Sequence, residues 1–96
     1  MDIDAGSLVL SSAGRDKGEM FVVLRREEQF VFLANGKVRK IENPKKKKLK
    51  HVTSTGFELE VLKKKLAAGE MPTNAELRKG LKEFSQDLKD ESLGRF

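Results

Sequence analysis

The sequence predicts a mainly β fold with α-helical cover: a small five-stranded β-barrel followed by a pair of amphipathic helices. Three observations carry this. Short apolar runs of strand length fill the first half, turn residues separate them, and past residue 56 the apolar period changes to that of a helix. A four-helix bundle or a doubly wound sheet would show a different succession of periods.

Leu8-Val9-Leu10 is the first strand, and Met20-Phe21-Val22-Val23-Leu24 the second, an apolar run too short for a helix. Between them Gly14 and Gly18 bracket a polar tip, which suits a turn that needs positive φ at one or both ends. Arg25 to Gln29 is charged and includes a bend, and Phe30-Val31-Phe32-Leu33 is the third strand. Asn35-Gly36 is the strongest short hairpin signal in the chain and leads into a fourth strand, Lys37-Val38-Arg39-Lys40-Ile41. His51-Val52-Thr53-Ser54 supplies the fifth. In the second strand Met20, Val22 and Leu24 oppose Phe21 and Val23; in the third, Phe30 and Phe32 oppose Val31 and Leu33. Strands apolar on both faces need cover on both, and the rest of the chain is expected to provide it.

That remainder has helical spacing. Phe57, Leu59, Val61, Leu62 and Leu66 form the first stripe, closed by Gly69. Thr73-Asn74-Ala75-Glu76 has the capping-box pattern, and Leu77, Leu81, Phe84 and Leu88 then fall on a single face. Gly80 interrupts the second helix at a cost of about 1 kcal/mol relative to alanine. The expected division is a barrel over residues 1–55 and a helical hairpin, packed on it, over 56–96.

Of the 96 residues, 36% are charged and 38% hydrophobic, enough for one modest core. No apolar run reaches the ~18 residues of a membrane span. The opening Met1-Asp2-Ile3-Asp4 is acidic and unlike a secretory signal. The chain has no cysteine, which fits a reducing, cytoplasmic setting. The net charge of +5 is confined to the first half. Residues 1–55 hold twelve basic against seven acidic residues, and residues 56–96 hold eight of each.

The surplus is concentrated further between Lys37 and Lys50, where eight basic residues meet only Glu42. Such a field attracts polyanions. Catalysis has little to work with: His51 is the only histidine, and no carboxylate lies within four residues of it. With no cysteine and no spaced carboxylate cluster, a metal site is not expected either, and no cofactor or small-molecule substrate is implied. Gly14-x-x-x-Gly18 lacks the Gly-Lys-Ser/Thr of a phosphate-binding loop. The basic residues point instead to a non-enzymatic module that contacts RNA through its phosphates. Its candidate contacts are Arg15 and Lys17 on the glycine-bounded turn, and Lys37, Arg39 and Lys40 on the next hairpin. Lys45, Lys46, Lys47, Lys48 and Lys50 complete the set as mobile ammonium groups. All but the terminal one of the six phenylalanines fit the apolar pattern and Trp and Tyr are missing, which argues against base stacking and for structured RNA read through its backbone.

Residues 6–24, from Gly6-Ser7-Leu8-Val9-Leu10 through Gly14-Arg15-Asp16-Lys17-Gly18 to Met20-Phe21-Val22-Val23-Leu24, resemble the KOW motif: a glycine, an apolar strand, a basic turn closed by glycine, and a second apolar strand. Asn35-Gly36-Lys37-Val38-Arg39 and Pro44 to His51 extend the likeness to short bacterial KOW-domain RNA-binding proteins, similar to certain archaeal and eukaryotic large-subunit ribosomal proteins. The resemblance covers about half the chain. It implies an SH3-like barrel, RNA contacts at Arg15 and Lys17, and association with the ribosome or translation, with rRNA and ribosomal proteins as partners. Phe21 stands where many KOW motifs carry another glycine, which favours the ribosomal-protein branch over the elongation-factor branch. The competing expectation is a protein-interaction module of a transcription or ribosome complex.

Overall fold

Five strands form, each antiparallel to its neighbours in the sheet. The computed structural model describes the backbone of residues 3–94 and the side chains of residues 3–85. The strands are β1 (Ser7–Ser11), β2 (Met20–Glu27), β3 (Phe30–Ala34), β4 (Lys45–Lys48) and β5 (Val52–Glu58), in the sheet order β4-β3-β2-β1-β5. A 3₁₀ turn, Leu49–His51, carries the chain from the β4 edge to the β5 edge. The two edges do not pair, so this is an open antiparallel sheet with two helices, an α+β arrangement, rather than a closed barrel.

The two faces are both apolar, as the double-sided strands require. Val9, Phe21, Val23, Val31, Leu33 and Val52 pack with Ile3 and Leu49 on one side. Leu8, Val22, Leu24 and Ala34 face the other, where Leu62 and Leu77 cover them and Leu59, Leu81 and Phe84 pack around. The covering elements are α1 (Glu60–Ala67) and α2 (Asn74–Gly94). Gly69 closes α1 at φ 80°, with the Glu70 amide donating to the Lys65 carbonyl and the Gly69 amide to Leu66, the paired bonds of a glycine C-terminal stop. The capping box forms in both directions: the Glu76 amide donates to Thr73 Oγ1 at 3.1 Å and the Thr73 amide to Glu76 Oε1 at 3.0 Å. Gly80 makes room for Leu59, whose Cδ1 would lie 2.6 Å from an added Cβ. The side chain of Leu88 lies outside the described residues.

Two further expectations change. The first helical stripe begins later than its periodicity suggests: β5 runs to Glu58, past residue 55, so Phe57 belongs to the strand and is 54% exposed, while Val61 is 66% exposed. The fourth strand is the lysine run itself, not Lys37–Ile41. Asn35 explains why. Its Oδ1 accepts from the amides of Lys37 and Arg39, both at 3.0 Å, and so captures the backbone that a hairpin strand would have used.

The resulting loop docks on the start of α2. The Ile41 amide donates to Asn74 Oδ1, Arg78 donates to the Gly36 carbonyl, and the Asn74 side-chain amide donates to Glu42, holding that carboxyl below its usual range. Gly36 has φ 77°, and a Cβ there would meet the Asn74 carbonyl oxygen at 2.4 Å. Gly36→Ala is therefore expected to destabilise the fold by about 2–3 kcal/mol through backbone strain and crowding, read as a lower midpoint in urea with an unchanged slope.

Candidate nucleic-acid interface

The lysine run becomes a site because a strand sorts its side chains alternately to opposite faces. Lys45 pairs with Leu33 and Lys47 with Val31, so these two share the face of the first apolar cluster. Lys46 pairs with Phe32 and Lys48 with Phe30, so these two share the opposite face.

On the first face the run meets Asp16, at the tip of the glycine-bounded turn. Gly14 and Gly18 have φ of 87° and 90°, the positive values expected at both ends. Lys47 Nζ lies 2.6 Å from Asp16 Oδ1 and 2.6 Å from the Ala13 carbonyl oxygen, and Ser11 Oγ donates to the same carboxylate oxygen at 2.6 Å. Lys45 Nζ stands 2.9 Å from Asp16 Oδ2, an ion pair without hydrogen-bond alignment. The side chains of Lys47 and Asp16 are only 7% and 11% exposed. Burial alone would raise the Asp16 pKa. Hydrogen bonds from Lys47 and Ser11, with the Lys45 ammonium beside it, outweigh burial and hold the carboxyl far below the usual carboxylate range. The pair forms a clasp between the β4 edge and the loop that follows β1. The expectation that every lysine of the run offers a mobile ammonium fails at Lys47, which is buried and internally paired, and in part at Lys45.

With Asp16 turned inward, its neighbours Arg15 and Lys17 are exposed on either side of it. Lys46, Lys48 and Lys50 are also exposed, Lys50 on the 3₁₀ turn. The β3–β4 loop lies at the same end of the sheet as the β1–β2 turn, since Leu10 pairs with Met20 and Val22 with Ala34. It presents Lys37 and Lys40 to solvent, while Arg39 is half-buried and reaches the Asn43 carbonyl at 3.4 Å. Among the described residues none of Arg15, Lys17, Lys37, Lys40, Lys46, Lys48 or Lys50 forms an ion pair.

Several site residues escaped sequence reasoning. Arg78 and Lys82 of α2 line a groove with Lys37, Met20 and Glu19, adding basic groups from the half of the chain that carries no net charge. Phe30 and Phe32 belong to neither apolar cluster and are only half-buried, so the expectation that they are core residues is corrected. Arg25 lies over Phe32, its guanidinium carbon 4.0 Å from the ring centroid, and Lys46 Nζ lies 4.4 Å from the Phe30 centroid. The available signal was parity: once 45–48 is read as a strand beside β3, even-numbered lysines and phenylalanines fall on one face.

No family model matches the chain, and no curated protein matches it.

Proposed function

We propose that this protein is a non-enzymatic RNA-binding module of KOW type, with a sheet curled in the SH3-like manner. It contacts the backbone of structured RNA, in a ribosome- or translation-associated and cytoplasmic setting. The observation that carries the reading is the Asp16 clasp, which sets the KOW-like turn against the lysine strand and leaves Arg15 and Lys17 exposed beside it. The 3₁₀ turn spans the same gap between the sheet edges and supports the curled reading. Arg15, Lys17, Lys46 and Lys48 are the principal phosphate contacts, with Lys37, Arg39, Lys40 and Lys50 at the margins and Lys45 shared with Asp16. Lys47 positions the others. Point charges on a rigid frame suit phosphate spacing without reading base sequence.

Counterion release makes this testable. Neutralising about four to six phosphates is expected to give a log–log slope of affinity against salt of about −3 to −5. Filter binding of a structured RNA over a salt titration reads it directly, and a near-flat line would sink the proposal.

A second reading has its own observation. Leu59, Val61, Leu62 and Gly80 line a groove of about 410 Å³ between the helices, bordered by Glu58, Glu60, Glu76 and Glu83, with exposed Phe57 beside Phe84. Val61 and Phe57, exposed outside the sheet-covering stripe, favour a protein-docking role. A partner retained after nuclease treatment would support it.

A further inference from the structure

The helical cover of the second sheet face ends at Leu24 and Ala34, and beyond it the corner formed by β2, β3 and β4 carries Phe30 and Phe32. An uncovered sheet face ordinarily alternates to polar residues. Here two phenylalanines stand on it, two residues apart.

A β-bulge organises the corner. The β2–β3 register shifts between Val23 and Arg25: Val23 pairs with Leu33, but Arg25, not Leu24, pairs with Phe32. Without the extra residue, strict alternation would place Arg25 on the face of Val23 and Val31, inside the first apolar cluster. The bulge turns it onto the Phe32 face, an established use of bulges beside binding sites. One row across three strands is then Arg25–Phe32–Lys46, and the next is Glu27–Phe30–Lys48. Glu27 is the only acid in the two rows and is ion-paired to Arg25. Both partners of that pair are largely exposed, so Arg25 can shift from the ring at little cost.

Resting on the RNA reading above, we infer that this corner is a stacking platform for unpaired RNA nucleotides, with Phe32 and the Arg25 guanidinium holding one base, Phe30 a second, and Lys46 and Lys48 taking the intervening phosphates. Aromatic rings and guanidinium planes beside cations are what sequence-tolerant single-strand binding uses. The two rings are about 6.6 Å apart along the strand, roughly twice the ~3.4 Å rise of stacked bases, so neighbouring nucleotides must be splayed to occupy both. A second copy of this chain adding to the sheet here is disfavoured, since the adjoining edge is a row of lysines. The protein therefore joins two modes: backbone contact with a folded RNA, and capture of an unpaired stretch next to it.

Three RNAs test this with the full chain: a blunt duplex, the same duplex with a short unpaired overhang, and that overhang with its bases removed. The intact overhang is expected to tighten binding about five- to thirtyfold and the abasic one less than about twofold. Phe30→Leu with Phe32→Leu removes the gain, read as the ratio of overhang to blunt-duplex affinity within the same variant. Photo-crosslinking of a 4-thiouridine overhang to the unaltered protein gives a readout independent of variant folding, with the modified peptide spanning Phe30 to Phe32. Equal gains from intact and abasic overhangs, a gain that survives in the leucine variant, or crosslinks elsewhere would each overturn the platform while leaving duplex binding standing. No binding of any of the three at low salt would overturn the RNA reading itself.

Discussion

Asp16→Asn is expected to lower the stability of the folded chain by about 3–5 kcal/mol, the cost of leaving a buried charge without its partner. For a domain of this size that is a large share of the total. The substitution keeps the shape of the turn and an amide oxygen that can accept from Lys47, but it leaves the buried ammonium without a counter-charge. Urea unfolding at neutral pH measures the loss. Adding Lys47→Met to the variant should return much of it, because the buried ammonium left without a counter-charge is then gone. A double variant as unstable as the single one would show that the turn conformation, not the ion pair, is what Asp16 maintains. The pH dependence has a definite sign. Asp16 is held below its ordinary value of 3.8, so in acid the unfolded chain takes up this proton first. Its contribution is fully present above the unfolded value and is lost as pH falls through the folded one. Native stability should therefore decline below about pH 4–5, with a steeper slope than the Asp16→Asn variant shows in the same window.

The second large effect separates the lysines by parity. Lys46→Ala with Lys48→Ala is expected to weaken binding of structured RNAs about five- to thirtyfold and to reduce the salt slope by about 2, irrespective of base sequence. Stability should stay within about 1 kcal/mol, since both side chains are exposed and only the Lys46 contact with the aromatic rings is lost. Lys45→Ala with Lys47→Ala should do the reverse. It strips Asp16 of both ammonium groups and costs about 3–5 kcal/mol of stability, with RNA binding failing only as the fold does. Thermal unfolding and RNA titration of the two pairs, run side by side, decide the matter. If the Lys46/Lys48 pair unfolded and the Lys45/Lys47 pair did not, the pairing of Lys45–Lys48 with Phe30–Leu33 would be overturned.

How far the chain could be read in advance depended on how local each feature is. The glycine-bounded turn, the capping box and the glycine stop of α1 were legible because their donors and acceptors lie within a few residues of one another. Asn35-Gly36 misled because a second local pattern competes with the hairpin: the Asn35 side chain takes the amides of Lys37 and Arg39, and the resulting loop is held by Asn74 and Arg78 more than thirty residues away. The candidate site was legible as a concentration of charge. It was not legible as a geometry: Lys47 and Lys46 are neighbours with the same side chain, yet one is buried on Asp16 and the other lies over Phe30.

By itself the sequence determined that short strands apolar on both faces are followed by two amphipathic helices, with the excess charge in one short stretch, because period, capping and composition act over single turns and strands. Only the tertiary structure decided which residues of that stretch form the fourth strand, which lysine is consumed by the clasp, that Arg25 is turned onto Phe32 by a bulge, and that the sheet stays open. Those outcomes turn on burial and register, and both are set by which distant segment a strand comes to lie beside.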